Sequence, residues 1–123
     1  MSRTFINLTN HPSRLWDNEQ LDAARQYGRI IDIPFPEVNP FAESEEIALM
    51  ADACVEKIRD FEEPTVLVQG EFTLVFAVVT RLKEEGIRVL AASSERQVVE
   101  MKSEDGALIK KSVFRFRRFR EYV

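Results

Sequence analysis

Among 123 residues the chain has one cysteine, one histidine, one tryptophan and four glycines. The lone Cys54 has no partner for an internal disulfide and no second thiolate with which to build a zinc site, so no structural metal is expected. No segment approaches the roughly 20 apolar residues of a membrane-spanning helix. The opening Met1-Ser2-Arg3-Thr4-Phe5 runs straight into a strand-like stretch, without the basic region and apolar run of a secretory leader. A cytoplasmic protein without a membrane partner is therefore expected. The glycines do not repeat as a dinucleotide fingerprint would, and no P-loop lysine follows any of them, so NAD and ATP are unsupported and no cofactor is expected. Internal repeats and low-complexity tracts are also missing.

What is present describes one globular domain over residues 1–123: 45% hydrophobic and 31% charged residues, long enough for one core and too short for two in series. A formal charge of −4 and a pI near 5.1 argue against a general nucleic-acid coat, so no long nucleic acid is expected as partner. The charge is unevenly placed. Acids crowd the middle at Glu43, Glu45, Glu46, Asp52, Glu56, Asp60, Glu62 and Glu63, whereas Lys110, Lys111, Arg115, Arg117, Arg118 and Arg120 follow one another without an acid. That asymmetry permits a local anion site on an acidic protein.

Thr4–Leu8 reads as a strand and Thr9-Asn10-His11-Pro12-Ser13 as the loop after it. Asp17 with Gln20 three residues on marks a helix start, and Gly28 its end, giving a helix over Asn18–Tyr27. Arg29–Ile33 is a short strand stopped by Pro34 and Pro36. Ser44 is expected to cap a helix whose stripe is Ile47, Met50, Ala51, Cys54, Val55 and Ile58. Thr65–Gln69 has the continuous apolar run of a strand covered on both faces. Phe72–Glu85 follows as a helix with almost no polar side, predicted to be buried, with a second subunit as the candidate cover. Ile87–Ala92 is a fourth strand and Ser93-Ser94-Glu95-Arg96 the turn beyond it. Gln97–Lys102 and Leu108–Phe119 then alternate like an antiparallel hairpin around Ser103–Gly106. The order β-α-β-α-β-α-β plus a C-terminal hairpin predicts an α/β, three-layer, Rossmann-like, mostly parallel sheet. Ligands of such sheets bind beyond the carboxyl ends of the strands, where Thr9–Ser13, Gln69–Thr73 and Ser93–Arg96 all fall.

Each of these segments has a chemical and a plain reading. His11 can exchange a proton near neutral pH, with Asn10 and Ser13 as donors to a phosphate oxygen; alternatively it is an exposed turn residue. Gln69-Gly70-Glu71-Phe72-Thr73 presents a helix N-terminus to an anion, with Thr73 beside it; alternatively Glu71 is a favourable acid at a helix start. Ser93, Ser94, Glu95 and Arg96 offer two hydroxyls, a carboxylate and a guanidinium; alternatively they form a solvated turn with a weak ion pair. In Phe114-Arg115-Phe116-Arg117-Arg118-Phe119-Arg120, strand period puts Phe114, Phe116, Arg118, Arg120 and Tyr122 on one face. Arginines beside aromatics suit phosphate and base, although Arg115 and Arg117 read better as charges that protect an edge strand.

Val66-Leu67-Val68-Gln69-Gly70-Glu71-Phe72-Thr73, Ala91-Ala92-Ser93-Ser94-Glu95-Arg96, and Lys111-Ser112-Val113-Phe114 with Phe116-Arg117-Arg118-Phe119-Arg120-Glu121-Tyr122 resemble small stand-alone CRISPR-associated proteins with a Rossmann-like, CARF-related fold. The resemblance covers the second half best. Asn7-Leu8-Thr9-Asn10-His11-Pro12-Ser13 is similar to the start of such proteins. The resemblance implies a homodimer that recognises cyclic oligoadenylate, the second messenger of type III CRISPR defence. Some relatives are ring nucleases that cleave it, usually without metal; others only bind. Gln69, Gly70, Glu71 and Thr73, Ser93 to Arg96, and Arg118 and Arg120 match the motifs of these proteins, and of these Gln69, Gly70, Thr73, Ser93, Ser94, Arg96, Arg118 and Arg120, with Asn10 and Ser13, are expected to bind the ligand. Metal-independent cleavage by 2′-hydroxyl attack would then draw on His11, and after it Glu95, for proton transfer. Ser13, Ser94, Arg118 and Arg120 would serve positioning and charge neutralisation. The open alternative is a non-catalytic sponge or adaptor.

Overall fold

A computed structural model of the chain describes residues 2–123. In chain order the elements are β1 (Thr4–Thr9), a 3-10 turn (Ser13–Leu15), α1 (Asn18–Arg25), β2 (Arg29–Pro34), α2 (Ser44–Arg59), β3 (Pro64–Val68), α3 (Phe72–Glu84), β4 (Arg88–Lys102) and β5 (Leu108–Glu121). The fold is mixed α/β, with one five-stranded sheet in the order β2-β1-β3-β4-β5. The first three pairings are parallel, and β4 with β5 is antiparallel.

Apolar residues alternate across the strands and split the interior into two clusters. Ile6, Leu8, Val66, Val68 and Val89 face α2 and α3, meeting Ala51, Val55, Ile58, Leu74, Val78 and Leu82. Phe5, Leu67 and Leu90 face the other way, toward Ala24 of α1 and toward Phe116 and Phe119 of β5. Helices thus cover both faces of the central strands, which is why those strands read as uninterrupted apolar runs. Gly70 lets the chain turn from β3 toward α3, because a Cβ there would lie 2.4 Å from the buried Phe35 ring.

Four expectations need correction. The first helix ends at Arg25, two residues early, where a tightened turn leads to Gly28 at φ 143°. The second is preceded by Glu43, not capped by Ser44, and no side chain bonds its first turn. The third is not buried all round: Leu74, Val78, Val79 and Leu82 are covered, while Phe72 and Phe76 are 88% and 74% exposed. A 3.6-residue period brings only one stripe onto the sheet. Finally, Ser93–Arg96 is no turn. β4 passes through it without interruption because β5 supplies cross-strand partners along its length, from Leu90↔Glu121 to Lys102↔Leu108.

The expected face assignment on β5 also changes. A β-bulge shifts the register between Ser93, opposite Arg118, and Ser94, opposite Phe116. The extra residue, Arg117, brings Phe116 and Phe119 onto the same side, their ring centroids 4.9 Å apart, and leaves Arg118 and Arg120 as the cross-strand partners of Ser93 and Ala91.

Candidate functional site

β3 makes its last pairing with β4 at Leu67↔Leu90, so β4 and β5 continue past the sheet as a two-stranded ribbon. The root of that ribbon and the start of α1 form the walls of a cleft at the carboxyl ends of β1 and β3. Its volume is about 640 Å³. Thr9, Leu67 and Gln69 form the floor, Trp16, Asp17 and Gln20 one wall, Ala92, Ser94, Phe114 and Phe116 the other, with His11 and Leu15 at the mouth. Parallel topology gathers these distant segments, as expected for the rim of such a sheet.

The His11 loop is held from beneath. Asn7, 1% exposed in the middle of β1, donates from Nδ2 to the His11 carbonyl at 2.9 Å and to Asp32 Oδ1 at 2.9 Å. Its Oδ1 accepts from Thr9 Oγ1 at 2.7 Å, and Thr9 Oγ1 accepts from the His11 amide at 3.1 Å. Trp16 Nε1 adds a donor to the same carbonyl at 3.1 Å. A buried side-chain amide with all its hydrogen bonds made fixes the backbone it serves. His11 itself is exposed and lines the cleft, its backbone held by these hydrogen bonds.

The remaining positions divide. Gln69 accepts the Ala92 amide on Oε1 at 2.9 Å, bracing β4 at the point where it leaves the sheet. Ser94 lines the cleft and lies opposite Phe116. Arg96, opposite Phe114, shares that face one alternation further out; its Nε and Nη2 donate to Ser112 Oγ at 3.2 and 3.0 Å. Ser13 is committed elsewhere, its hydroxyl donating to Asp32 Oδ2 at 2.9 Å and its amide to the same carboxylate. Asn10 is exposed beside His11. The α3 N-terminus is closed by its own cap: Glu71 accepts from the Thr73 and Leu74 amides at 3.0 and 2.9 Å and from the Thr73 hydroxyl. Those bonds, the Thr73 hydroxyl foremost, hold the Glu71 carboxyl below the ordinary range. Neither Gly70 nor Thr73 touches the cleft.

Ser93 and Glu95 project from the other side of the ribbon. Glu95 accepts from Gln97 Nε2 at 3.3 Å and Arg117 Nε at 3.2 Å, which lowers its pKa, Gln97 contributing most. Arg118 and Arg120 line a separate groove at the outer edge of the sheet with Tyr27, Arg88 and Glu121. The structure therefore unites His11, Gln69 and Ser94, leaves Arg96 close by, and does not bring Glu95, Arg118 or Arg120 to them.

Sequence reasoning missed Asn7, Asp32, Trp16, Phe114 and Phe116 as parts of this site. One signal was available: an amide in the middle of the apolar run Phe5-Ile6-Asn7-Leu8, which a covered strand keeps only if a network satisfies it.

Among the described residues no helix is long and apolar enough to cross a membrane. No curated protein matches the chain. The profile of a family described as "Uncharacterized protein MJ1673 family" matches residues 3–120. That span is nearly the whole chain, and the protein belongs to the MJ1673 family.

Proposed function

We propose that this protein binds cyclic oligoadenylate in the cleft between α1 and the root of the β4–β5 ribbon, acting as a homodimer, and opens the ring slowly with His11 as proton acceptor. One observation carries the reading: the single histidine, on a loop whose backbone is braced from beneath, lines one cleft with aromatic residues (Trp16, Phe114, Phe116) and with residues bearing amide and hydroxyl groups (Gln20, Gln69, Ser94). Aromatic faces stack on bases with about 1–3 kcal/mol each, independent of base identity. The amides can read an adenine edge. The resemblance to CARF-related ring nucleases, and a Rossmann-like reading of the four parallel strands, point the same way.

In the chemistry that fits, a ribose 2′-hydroxyl gives its proton to His11 while its oxygen attacks the adjacent phosphorus. The P–O5′ bond breaks, the 5′-oxygen takes a proton, and the product is a linear oligoadenylate ending in a 2′,3′-cyclic phosphate. Asp17, the cleft's other titratable residue, is engaged as the N-cap of α1 through the Gln20 amide, so catalysis rests on positioning plus one proton transfer and is expected to be slow.

The second reading, a sponge that holds the messenger intact, draws on Ser13 and Glu95, whose side chains are already bonded to Asp32 and to Gln97 with Arg117. One experiment separates the two. Labelled cyclic tetra- and hexa-adenylate are incubated with excess protein, and retained label and linear product are followed over time. Binding with product that disappears in His11→Ala supports the ring nuclease, binding without product supports the sponge, and no binding of either ring removes the proposal.

A further inference from the structure

Gln69 completes a ladder with its side chain. β3 and β4 pair in parallel from Thr65↔Arg88 to Leu67↔Leu90, and the same register carried two places further would set Gln69 opposite Ala92. The backbone pairing stops before that point. The Ala92 amide is met instead by the Gln69 side chain, whose Oε1 accepts it at 2.9 Å, while the Gln69 amide continues the β1 ladder by donating to the Leu8 carbonyl at 3.3 Å. Both the backbone and the side chain of this residue are thus tied into the sheet.

A backbone N–H can only donate, so the Gln69 atom that it meets is the oxygen, and the other end of the side-chain amide is the NH2 group, a donor that accepts nothing. The half-turn by which a free glutamine exchanges its donor and acceptor ends would break the Ala92 bond. Among the described residues Nε2 has no hydrogen-bond partner, and no side-chain nitrogen or oxygen is buried without one, so the group is open to solvent. Gln69 is half-buried and lines the cleft beside Leu67. Gln20, on the cleft wall, has no such brace: its backbone amide donates to Asp17 Oδ1 at 2.8 Å, and its side chain bonds to nothing among the described residues. Gln20 can turn to suit a ligand, whereas Gln69 offers a donor of fixed identity.

We propose that Gln69 is the specificity-determining residue of the cleft, its Nε2 donating to an unprotonated ring nitrogen of an adenine and refusing a base that turns an N–H toward it. The inference rests on the reading of the cleft as a cyclic oligoadenylate site. No lysine or arginine is among the residues lining the cleft, and Leu67, Ala92 and Phe116 are apolar neighbours of Gln69 there. A neutral donor in such surroundings suits an uncharged acceptor, because a phosphate brought there would leave water with no cation to pair it. The ring nitrogens N1, N3 and N7 of adenine are such acceptors. Donor set against donor would leave both groups unpaired, and a site built around a hydrogen bond rejects most strongly the ligand that cannot make it.

The test is binding of cyclic tetra-adenylate by the full chain, beside three analogues of the ring in which N1, N3 or N7 of every adenine is replaced by C–H. Wild type is expected to bind the parent ring and to lose about tenfold with one analogue, the one that lacks the nitrogen met by Nε2. Gln69→Glu keeps an oxygen for the Ala92 amide and puts an acceptor where the donor was. It should melt with wild type at neutral pH, bind the parent about tenfold more weakly or worse, and no longer distinguish the parent from that analogue. Gln69→Leu loses the brace as well and should melt below both. The analogue series uses wild type alone, so it decides the matter even if Gln69→Glu fails to fold. Three analogues bound as tightly as the parent, or a Gln69→Glu protein that binds as wild type does, would overturn the proposal and leave the reading of the cleft standing. A wild type that binds no form of the ring would remove both.

Discussion

Asn7 does more for the cleft than any residue that touches its opening. Its amide donates to the His11 carbonyl and to Asp32, two part-buried bonds, and accepts from the buried Thr9 hydroxyl. Asn7→Leu keeps the branching at Cγ and removes all three bonds. The His11 carbonyl and the Thr9 hydroxyl then lose a buried partner, and leaving such groups unsatisfied costs about 1–3 kcal/mol apiece at most. We expect Asn7→Leu to lower the melting temperature by several degrees, about the shift such a loss produces in a domain of this size. Asn7→Asp should do less harm to Thr9 and more to Asp32, because a carboxylate accepts from the hydroxyl but cannot donate to its neighbour. Calorimetry of the three proteins checks both; equal melting temperatures for Asn7→Leu and wild type would show that the loop is held by Trp16 and Thr9 without it.

At the scale of the element, α3 is set by what precedes it. Glu71 closes the helix N-terminus through the Thr73 hydroxyl and the Thr73 and Leu74 amides, and these bonds depress its pKa below the ordinary 4.5. A depressed carboxylate contributes stability above the unfolded pKa and loses it as pH falls through the folded value. Wild type should therefore melt above Glu71→Ala at neutral pH, and the gap should close on acidification below about pH 4.5, the unfolded value. A gap that persists at the lowest pH would assign the difference to helix propensity instead. An acid at this helix start was legible in Gly70-Glu71-Phe72-Thr73, though not that it closes the free amides, and so were the four parallel strands, because both are local patterns of period and turn chemistry. The ribbon was not. Ser93-Ser94-Glu95-Arg96 has turn composition, and only pairing with residues 114–118, some twenty positions away, makes it strand. The bulge at Arg117 is equally non-local, and it reversed which aromatics share a side with Arg118 and Arg120. The rim segments of the site followed from topology, whereas the sorting of their side chains into cleft and outer edge depended on that one-residue shift.

Over the whole molecule, charge and apolar surface are arranged by face. Arg115, Arg118 and Arg120 stand opposite Glu95, Ser93 and Ala91, away from the cleft, and Arg96 alone of the ribbon's arginines stands opposite a cleft-lining aromatic, Phe114. If cyclic oligoadenylate occupies the cleft, Arg96 is the cation that meets its phosphates, while Arg118 and Arg120 belong to a groove beside Tyr27. The two arginine sites predict different salt responses. Each phosphate contact on a single strand contributes about 0.7 to the slope of log K against log salt. Arg96→Ala should weaken binding of cyclic tetra-adenylate and flatten that slope by about 0.7, a loss of one contact. Arg118→Ala should leave both the affinity and the slope near wild type. Fluorescence titrations at several salt concentrations distinguish the outcomes. A flattened slope in Arg118→Ala with an unchanged one in Arg96→Ala would move the ligand out of the cleft and onto the outer edge of β5, where His11 cannot reach it.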